Sequence, residues 1–450
     1  MKQPNLIFVF ADQWRRQALG HEGDPNARTP RLDAFAARSV RFSNAVSGCP
    51  VCSPYRASLM TGQYPLTHGM VVNDQSIRRG AVSFADALNA AGYHTAYIGK
   101  WHIDGHGRSR FVPRERRLGF QQWLGYECTH LYQDSPYYDD SPEPKTWRGY
   151  DAEAQTAAAI DHMRKRAGAG GPFALFMSWG PPHDPYDTAP ERFKRMYKPD
   201  GITLRMNVPQ EEREKSRGTL AGYYAHCAAL DECFGTLLDE MERLDLAENT
   251  ITVFTSDHGD MHGSHGLWKK QWPYEESIGV PFLLRWPAQL PSALKTVDHL
   301  FDAPDIMPTL LGLCGIRQPG TVEGCDLSRL LTGQGELDDN AALLSCYFPF
   351  HECSYMAGAR DYRGVRTARH TYVRSHEGPW LLFDNQEDPF QMRNLAGDPD
   401  SGELRNELDA SLTEMLRLRH DRFEQGIDIL RRLNVRMSPT DHGDDVHVEW

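Results

Sequence analysis

The chain lacks a long apolar run, a basic face, a regular cysteine framework and any visible internal repeat, and each absence excludes a class of protein. The first apolar run, Leu6–Phe10, is closed by Asp12. It is far too short for a membrane span or a signal-peptide core, so a cytoplasmic protein without a membrane partner is expected. The 61 acidic and 49 basic residues leave a net charge of −12 and are spread along the chain, which argues against a nucleic-acid partner. Nine cysteines form an odd set with no disulfide pattern in a chain this large. Cys49-Pro50-Val51-Cys52 has the C-x-x-C spacing of a redox or zinc motif, but no second pair completes a zinc site, and a redox role leaves the residues after Cys52 unexplained.

What is present is enough chain, 450 residues with 40% hydrophobic content, for one large domain and a smaller one. Short apolar runs at Leu6–Phe10, Thr95–Ile98, Phe173–Trp179, Ile251–Thr255 and Pro281–Trp286 alternate with helix-like stretches. That alternation predicts an α/β fold, a large, mainly parallel sheet flanked by helices. Ser83–Ala91 and Thr219–Leu244 read as amphipathic helices, the second with Asp231, Glu232, Asp239 and Glu240 on its wet side. After about Gly335 the texture changes to a Gly/Asp/Asn-rich linker, shorter segments at Gly364–Val373 and Trp380–Asp384, and a charged helix near Glu403–Glu424. The expected division is a catalytic domain over 1–335 and a smaller C-terminal α+β subdomain over 336–450, with Pro439–Trp450 as an extended tail. Phe120–Tyr150, rich in Trp and Tyr among Pro, Asp and Ser, reads as a long surface insertion.

In an open parallel sheet, ligands bind outside the carboxyl ends of the strands. Four of the predicted strands end in reactive residues: Asp12-Gln13, Lys100-Trp101-His102, Pro181-Pro182-His183 and Asp257-His258-Gly259. One such ending is unremarkable, since an Asp after a strand is often only a helix cap. Four together point to one shared site. Asp12/Gln13 and Asp257/His258 could supply carboxylate, amide and imidazole ligands to one divalent ion. Lys100, His102, His183 and Lys270 are candidates for binding an oxyanion and for acid-base work.

Pro50-Val51-Cys52-Ser53-Pro54-Tyr55-Arg56-Ala57-Ser58-Leu59-Met60-Thr61-Gly62 resembles the first signature of the formylglycine-dependent sulfatases, built on C-x-P-x-R and ending in Thr-Gly. Gly92-Tyr93-His94-Thr95-Ala96-Tyr97-Ile98-Gly99-Lys100-Trp101-His102 resembles the second. The likeness continues through Pro181-Pro182-His183, Ser256-Asp257-His258-Gly259 and Lys270, and so covers most of residues 4–290; the C-terminal part is similar in layout with weaker motifs.

The resemblance implies an alkaline-phosphatase-like fold and conversion of Cys52 to formylglycine by a dedicated maturation enzyme that reads Pro54 and Arg56. One hydroxyl of the hydrated aldehyde, coordinated to the metal, would attack sulfur and release the alcohol. Deprotonation of the second, carried over to His102, would then expel sulfate, an escape closed to a plain Ser or Cys nucleophile. By the same carry-over Arg56 and Lys100 orient the diol, His183 and Lys270 bind the sulfate oxygens and assist the leaving alcohol, and Asp12, Gln13, Cys52, Asp257 and His258 hold the ion. Calcium is the first choice on the family's habit. Manganese or magnesium comes next, because an imidazole ligand suits a softer ion. Two departures stand out: Tyr55 where the family usually has a small residue, and Gln13 and His258 where many relatives have Asp and Asn.

The implied reaction is hydrolysis of a small sulfated substrate, a carbohydrate sulfate if aromatic residues of the insertion (Trp123, Tyr126, Tyr137, Tyr138, Trp147) stack on sugar rings. The alternative for those rings is to anchor the loop. His106, Arg108 and Arg110 either line the same pocket or are solvated charges. A phosphonate monoester or phosphodiester hydrolase of the same fold, and an unmatured binding protein, remain the rival readings, and the sequence does not state an oligomeric state.

Overall fold

Strands buried on both faces need continuous apolar runs, and the predicted runs supply them. The computed structural model describes residues 3–449 apart from 79, 291–293, 338–339 and 440–445. The first strands are β1 (Asn5–Asp12), β2 (Val40–Phe42), β3 (His94–Lys100) and β4 (Gln122–Tyr126). A small hairpin of β5 (Pro136–Tyr137) and β6 (Lys145–Thr146) follows, then β7 (Phe173–Pro182), β8 (Thr250–Ser256), β9 (Phe282–Arg285) and β10 (Thr296–Val297). Eight of these form one sheet in the order β10-β2-β9-β8-β1-β7-β3-β4. The central strands β8, β1, β7, β3 and β4 run parallel, and β9 runs antiparallel to both its neighbours. The carboxyl ends of β8, β1, β7 and β3 therefore lie side by side on one edge, which puts the four reactive endings together.

Phe8, Phe10 and Phe176 pack on one face with helices Cys52–Thr61, Phe84–Ala90 and Ala303–Leu313; Ile7, Val9 and Met177 pack on the other with Asp151–Ala169 and Arg213–Arg243. Helix Phe84–Ala90 starts where expected, at a reciprocal capping box of Ser83 and Asp86. The long helix begins at Arg213, earlier than its apolar spacing suggested, because its first turns are charged and solvated. Asp231, expected on the wet side, is instead buried and accepts the backbone N–H of Leu32 at 2.7 Å and of Arg31 at 3.1 Å, capping the helix Pro30–Ala36 across the gap. Glu240 is likewise covered, by Arg164 and Arg243.

The aromatic stretch is a second correction. It is not a surface insertion: it supplies β4, the edge strand of the main sheet, and Phe120, Trp123, Tyr126, Tyr132, Trp147 and Tyr150 are buried. Trp123 stacks on Tyr97 with centroids 5.3 Å apart, and Tyr137 on Trp147 at 3.9 Å. The hydroxyl of half-buried Tyr138 donates to Ser109 O. Burying one large apolar side chain is worth about 1.5–3 kcal/mol, so Trp123, Tyr126 and Trp147 anchor the segment and are not free to stack on a sugar, whereas Tyr137 and Tyr138 are half-buried.

The C-terminal part holds an antiparallel sheet of β11 (Ala341–Cys346), β12 (Tyr362–Thr367), β13 (His370–Ser375) and β14 (Gly378–Asp384), covered by helix Gly402–Leu418 through Leu408, Leu412 and Met415. The segment read as Gly364–Val373 is thus a hairpin. In the expected tail, Val446–Glu449 (β16) pairs with Arg436–Pro439 (β15); residues 440–445 and 450 lie outside the described residues. The two parts are joined by a buried Arg366–Glu275 ion pair at 2.7 Å and by Ser345 N–H donating to Gly48 O at 2.7 Å. No described helix is long and apolar enough to cross a membrane.

Asp151, at the start of helix Asp151–Ala169, is fully buried, and burial pushes its carboxyl from 3.8 up to about 8 despite bonds from Ser135 and Gln155. The folded chain therefore keeps a proton that the unfolded chain releases, so stability from this group is present below its unfolded value and is lost as pH climbs toward about 8. Asp151→Asn, which mimics the protonated acid, is expected to leave the melting temperature nearly unchanged near pH 4 and to raise it progressively from there to about pH 8, read by thermal unfolding across pH.

Candidate active site

Helix Cys52–Thr61 delivers the first signature. Pro54 falls in its first turn, where a missing N–H costs nothing, and Gly62 at φ 67° ends it by donating its N–H to Ser58 O. All ten residues of this helix are buried. Ser53 N–H donates to Asn73 Oδ1 at 3.0 Å, and Cys52 sits at the helix's positive end, where an anion is favoured. The second signature is explained by close packing: Gly99 has φ 109°, and a Cβ there would meet Ser178 O at 2.0 Å. Any other residue would prise β3 from β7 and displace Lys100.

Asp12, Asp257, His258 and Cys52 place one ligand atom each within 4.8 Å of one another, all buried. Cys52 Sγ lies 3.1 Å from His258 Nε2 and 3.7 Å from Asp12 Oδ1. His258 Nδ1 donates to Gly259 O at 2.9 Å, which aims Nε2 at the cluster. Burial opposes a charged His258, but Asp257 and Cys52 raise it above the usual imidazole range. Two carboxylates, an imidazole and the neighbouring Gln13 amide suit a hard or borderline divalent cation.

Arg56, 1% exposed, locks this set. Its Nε and Nη2 donate to Asp257 Oδ2 at 3.2 and 2.9 Å, its Nη2 to Asp12 Oδ2 at 3.1 Å, and its Nη1 to Lys100 O and Ser178 Oγ at 2.8 and 2.6 Å. Lys100 Nζ reaches Asp12 Oδ2 at 2.6 Å. Burial works against ionising Asp12, yet Lys100, His183, Arg56 and His258 hold its carboxyl well below the usual range. Asp257 is raised, by burial and then by Asp12. Arg56 and Lys100 already neutralise the two acids, so a bound divalent ion would leave local positive charge in a chain that is acidic overall. The Cys52 thiol is lowered by Lys100, Lys270 and His258 against burial and Asp12.

Lys270 Nζ donates to Gln13 Oε1 at 3.0 Å and lies 2.8 Å from His183 Nε2. Burial and the Lys270 charge lower His183, so it faces the ammonium as a neutral acceptor with Nδ1 toward Asp184 Oδ1 at 3.0 Å. His102 Nε2 meets Asp74 Oδ1 at 2.9 Å, and Asp74 is gripped from the other side by Arg108 at 2.6 Å. Burial opposes the charged imidazole, but Cys128 and Asp74 hold His102 well above the usual range.

Cys52, Lys100, His102, His183 and Lys270 line one cavity of about 130 Å³. Asp12, Gln13, Arg56, Asp257 and His258 are buried beside it, joined to its lining by the contacts above. Of the three doubtful cations only Arg108 joins the lining. His106 belongs to a separate cavity with Asp104 and Arg116, and Arg110 is exposed.

Sequence reasoning missed Asn73, Cys128, His130, Asp184, Gln271, Phe350 and His351, which together with Lys269, the adjacent lysine that the sequence offers beside Lys270, complete the lining. Cys128 and His130 follow β4, so the strand-end rule could have found them had β4 been recognised. Phe350 and His351 come from the C-terminal part, which no motif foretold.

The sulfatase family profile matches residues 4–316, and that of the N-sulphoglucosamine sulphohydrolase C-terminal region matches 263–418. The chain is 44% identical over 438 residues to the ulvan-active sulfatase of Formosa agariphila, covering 96% of this chain and 84% of that protein. It is 31% identical to the endo-4-O-sulfatase of Bacteroides thetaiotaomicron, covering 88% of each. Among solved structures it superposes on the sulfatase-family protein yidJ of Bacteroides fragilis with a TM-score of 0.85 at 30% identity, covering 94% of this chain and 97% of that one. With the profile spanning most of the chain and the signature residues gathered at one sheet edge, this protein belongs to the sulfatase family.

Proposed function

We propose that the protein hydrolyses a carbohydrate sulfate ester to alcohol and inorganic sulfate at Cys52, matured to formylglycine, with a divalent cation, calcium first, bound by Asp12, Gln13, Asp257 and His258. The observation that carries this reading is Cys52 Sγ lying inside the carboxylate-imidazole cluster at a cavity walled by Lys100 and Lys270. A bound cation would supply Lewis-acid stabilisation of developing oxygen charge. The hydrated aldehyde would supply a nucleophilic hydroxyl and a second hydroxyl for release.

This chain's residues do the rest. Arg56 keeps the two carboxylates aligned, Lys100 balances Asp12, and Lys270 with His183 receives the sulfate oxygens and the leaving alcohol. His102, held through Nε2 by Asp74, holds and moves a proton at Nδ1. Because the whole Cys52–Thr61 helix is buried, a maturation enzyme must read Cys52-Ser53-Pro54-Tyr55-Arg56 before folding is complete.

The carbohydrate part rests on the two relatives described above, an ulvan-active sulfatase and an endo-4-O-sulfatase. A cavity of about 130 Å³ takes the sulfate end only, since pockets that engulf a whole ligand measure roughly 300–1,000 Å³. The remaining saccharide then lies across the rim at Arg108, His130 and His351.

The test is sulfate release by matured protein from sulfated mono- and disaccharides, compared with alkyl, choline and aryl sulfates and an aryl phosphonate monoester. The highest kcat/KM is expected on a sulfated saccharide; a higher value on the phosphonate overturns the sulfatase reading, and one on choline sulfate overturns the saccharide. Chelation is expected to abolish turnover, and added calcium, or less effectively manganese or magnesium, to restore it. Full activity in protein shown by elemental analysis to be metal-free would remove the cation from the reaction.

A further inference from the structure

Among the described groups buried next to the site, Asp260 has no part in the chemistry above, yet it is 0% exposed and bonded on both oxygens. Asp260 Oδ2 accepts from Gln13 Nε2 at 2.7 Å and from the Tyr186 hydroxyl at 2.8 Å. The Tyr186 oxygen, its one hydrogen spent on Asp260, in turn accepts from Gln13 Nε2 at 3.1 Å. A carboxylate and an already donating phenol can only accept, so both read the NH2 end of the amide. On the other side the Lys270 ammonium can only donate, and it meets Gln13 Oε1 at 3.0 Å. The second Asp260 oxygen, Oδ1, accepts the backbone N–H of His262 at 2.8 Å and of Lys269 at 3.1 Å. It thereby ties the Gln13 amide to the bend that presents Lys270.

We infer that Asp260 is a positioning residue that fixes which end of the Gln13 amide faces the metal-donor cluster. This inference rests on the metal reading. A carboxylate at position 13 would need no such device, because its two oxygens are equivalent. A glutamine there can turn its NH2 toward a cation, and Asp260 with Tyr186 forbids that turn. The negative charge missing from position 13 is kept on Asp260, one hydrogen bond behind the amide.

Asp260→Asn separates orientation from bracing, because the asparagine carbonyl can still accept the His262 and Lys269 amides while its NH2 cannot accept from Gln13. Calcium titration calorimetry on chelator-stripped, matured protein is expected to show binding weakened by about 10–100-fold, the usual cost of losing a partner behind a metal ligand. In a Gln13→Ala background the same substitution is expected to add no further loss. Tyr186→Phe, which changes no charge, is expected to weaken binding in the same direction by less, and it carries the test if Asp260→Asn does not fold. Unchanged calcium affinity in these variants, or losses from Asp260→Asn and Gln13→Ala that simply multiply, would overturn the assignment. A parent protein that binds no calcium, manganese or magnesium refutes the metal reading and this one with it; a parent that binds while Asp260→Asn binds equally well refutes this one alone.

Discussion

Cys52→Ala is expected to lose sulfate release by on the order of 10⁵–10⁶-fold, the scale of removing a covalent nucleophile, while its melting temperature stays near that of the parent. Cys52 is 1% exposed, but its sulfur faces the donor cluster and the cavity and is not wedged among apolar side chains, so its removal enlarges a polar space and leaves the core packed. The helix that carries it stays capped by Asn73 and Gly62. Cys52→Ser is expected to be as inactive, because a single hydroxyl on that carbon cannot expel sulfate. Sulfate release, thermal unfolding and mass spectrometry of the peptide holding residue 52 check this together. In active preparations the peptide should carry an aldehyde in place of the thiol. Turnover retained in Cys52→Ala would move the nucleophile elsewhere, and Cys128, lining the same cavity, would be the first place to look.

Lys270→Ala is expected to lower kcat by about 10²–10³-fold, equivalent to about 3–4 kcal/mol for a donor aimed at developing oxygen charge. Lys270 is 9% exposed at the cavity wall, so the change in melting temperature should be small. The loss also has a pH signature. His183 is held below its ordinary value by burial and by the Lys270 charge, and removing that charge lets its value rise. The protonated imidazole, the form that can donate to a sulfate oxygen and to the leaving alcohol, then persists to higher pH, so the basic limb of kcat/KM should move upward. Normal activity with a lowered melting temperature would assign Lys270 to structure.

The expectations that failed share one cause. Phe120–Tyr150 was placed on the surface because Pro, Asp and Ser interrupt it, yet β4 pairs with β3, and Tyr97 and Trp101 fold back onto Trp123. Asp231 was placed in water because it is charged, yet a distant helix start supplies two backbone donors. In both cases the partner that reverses the reading lies far along the chain, and local pattern does not contain it.

Legible from the sequence alone were the parallel strands, from their apolar runs, and the family, from the spacing around Cys52 and Lys100, because strand burial and helix ends are local properties of the chain. The grouping of Asp12, Lys100, His183 and Asp257 was also legible, since parallel neighbours must end on the same edge. Only the tertiary structure decided that Arg56 clamps both carboxylates, that Asp74 grips His102, that Asp260 and Tyr186 set the Gln13 amide, and that Phe350 and His351 close the cavity. Each of these is a hydrogen bond or wall contact between segments tens to hundreds of residues apart, and its direction is set by how the layers pack.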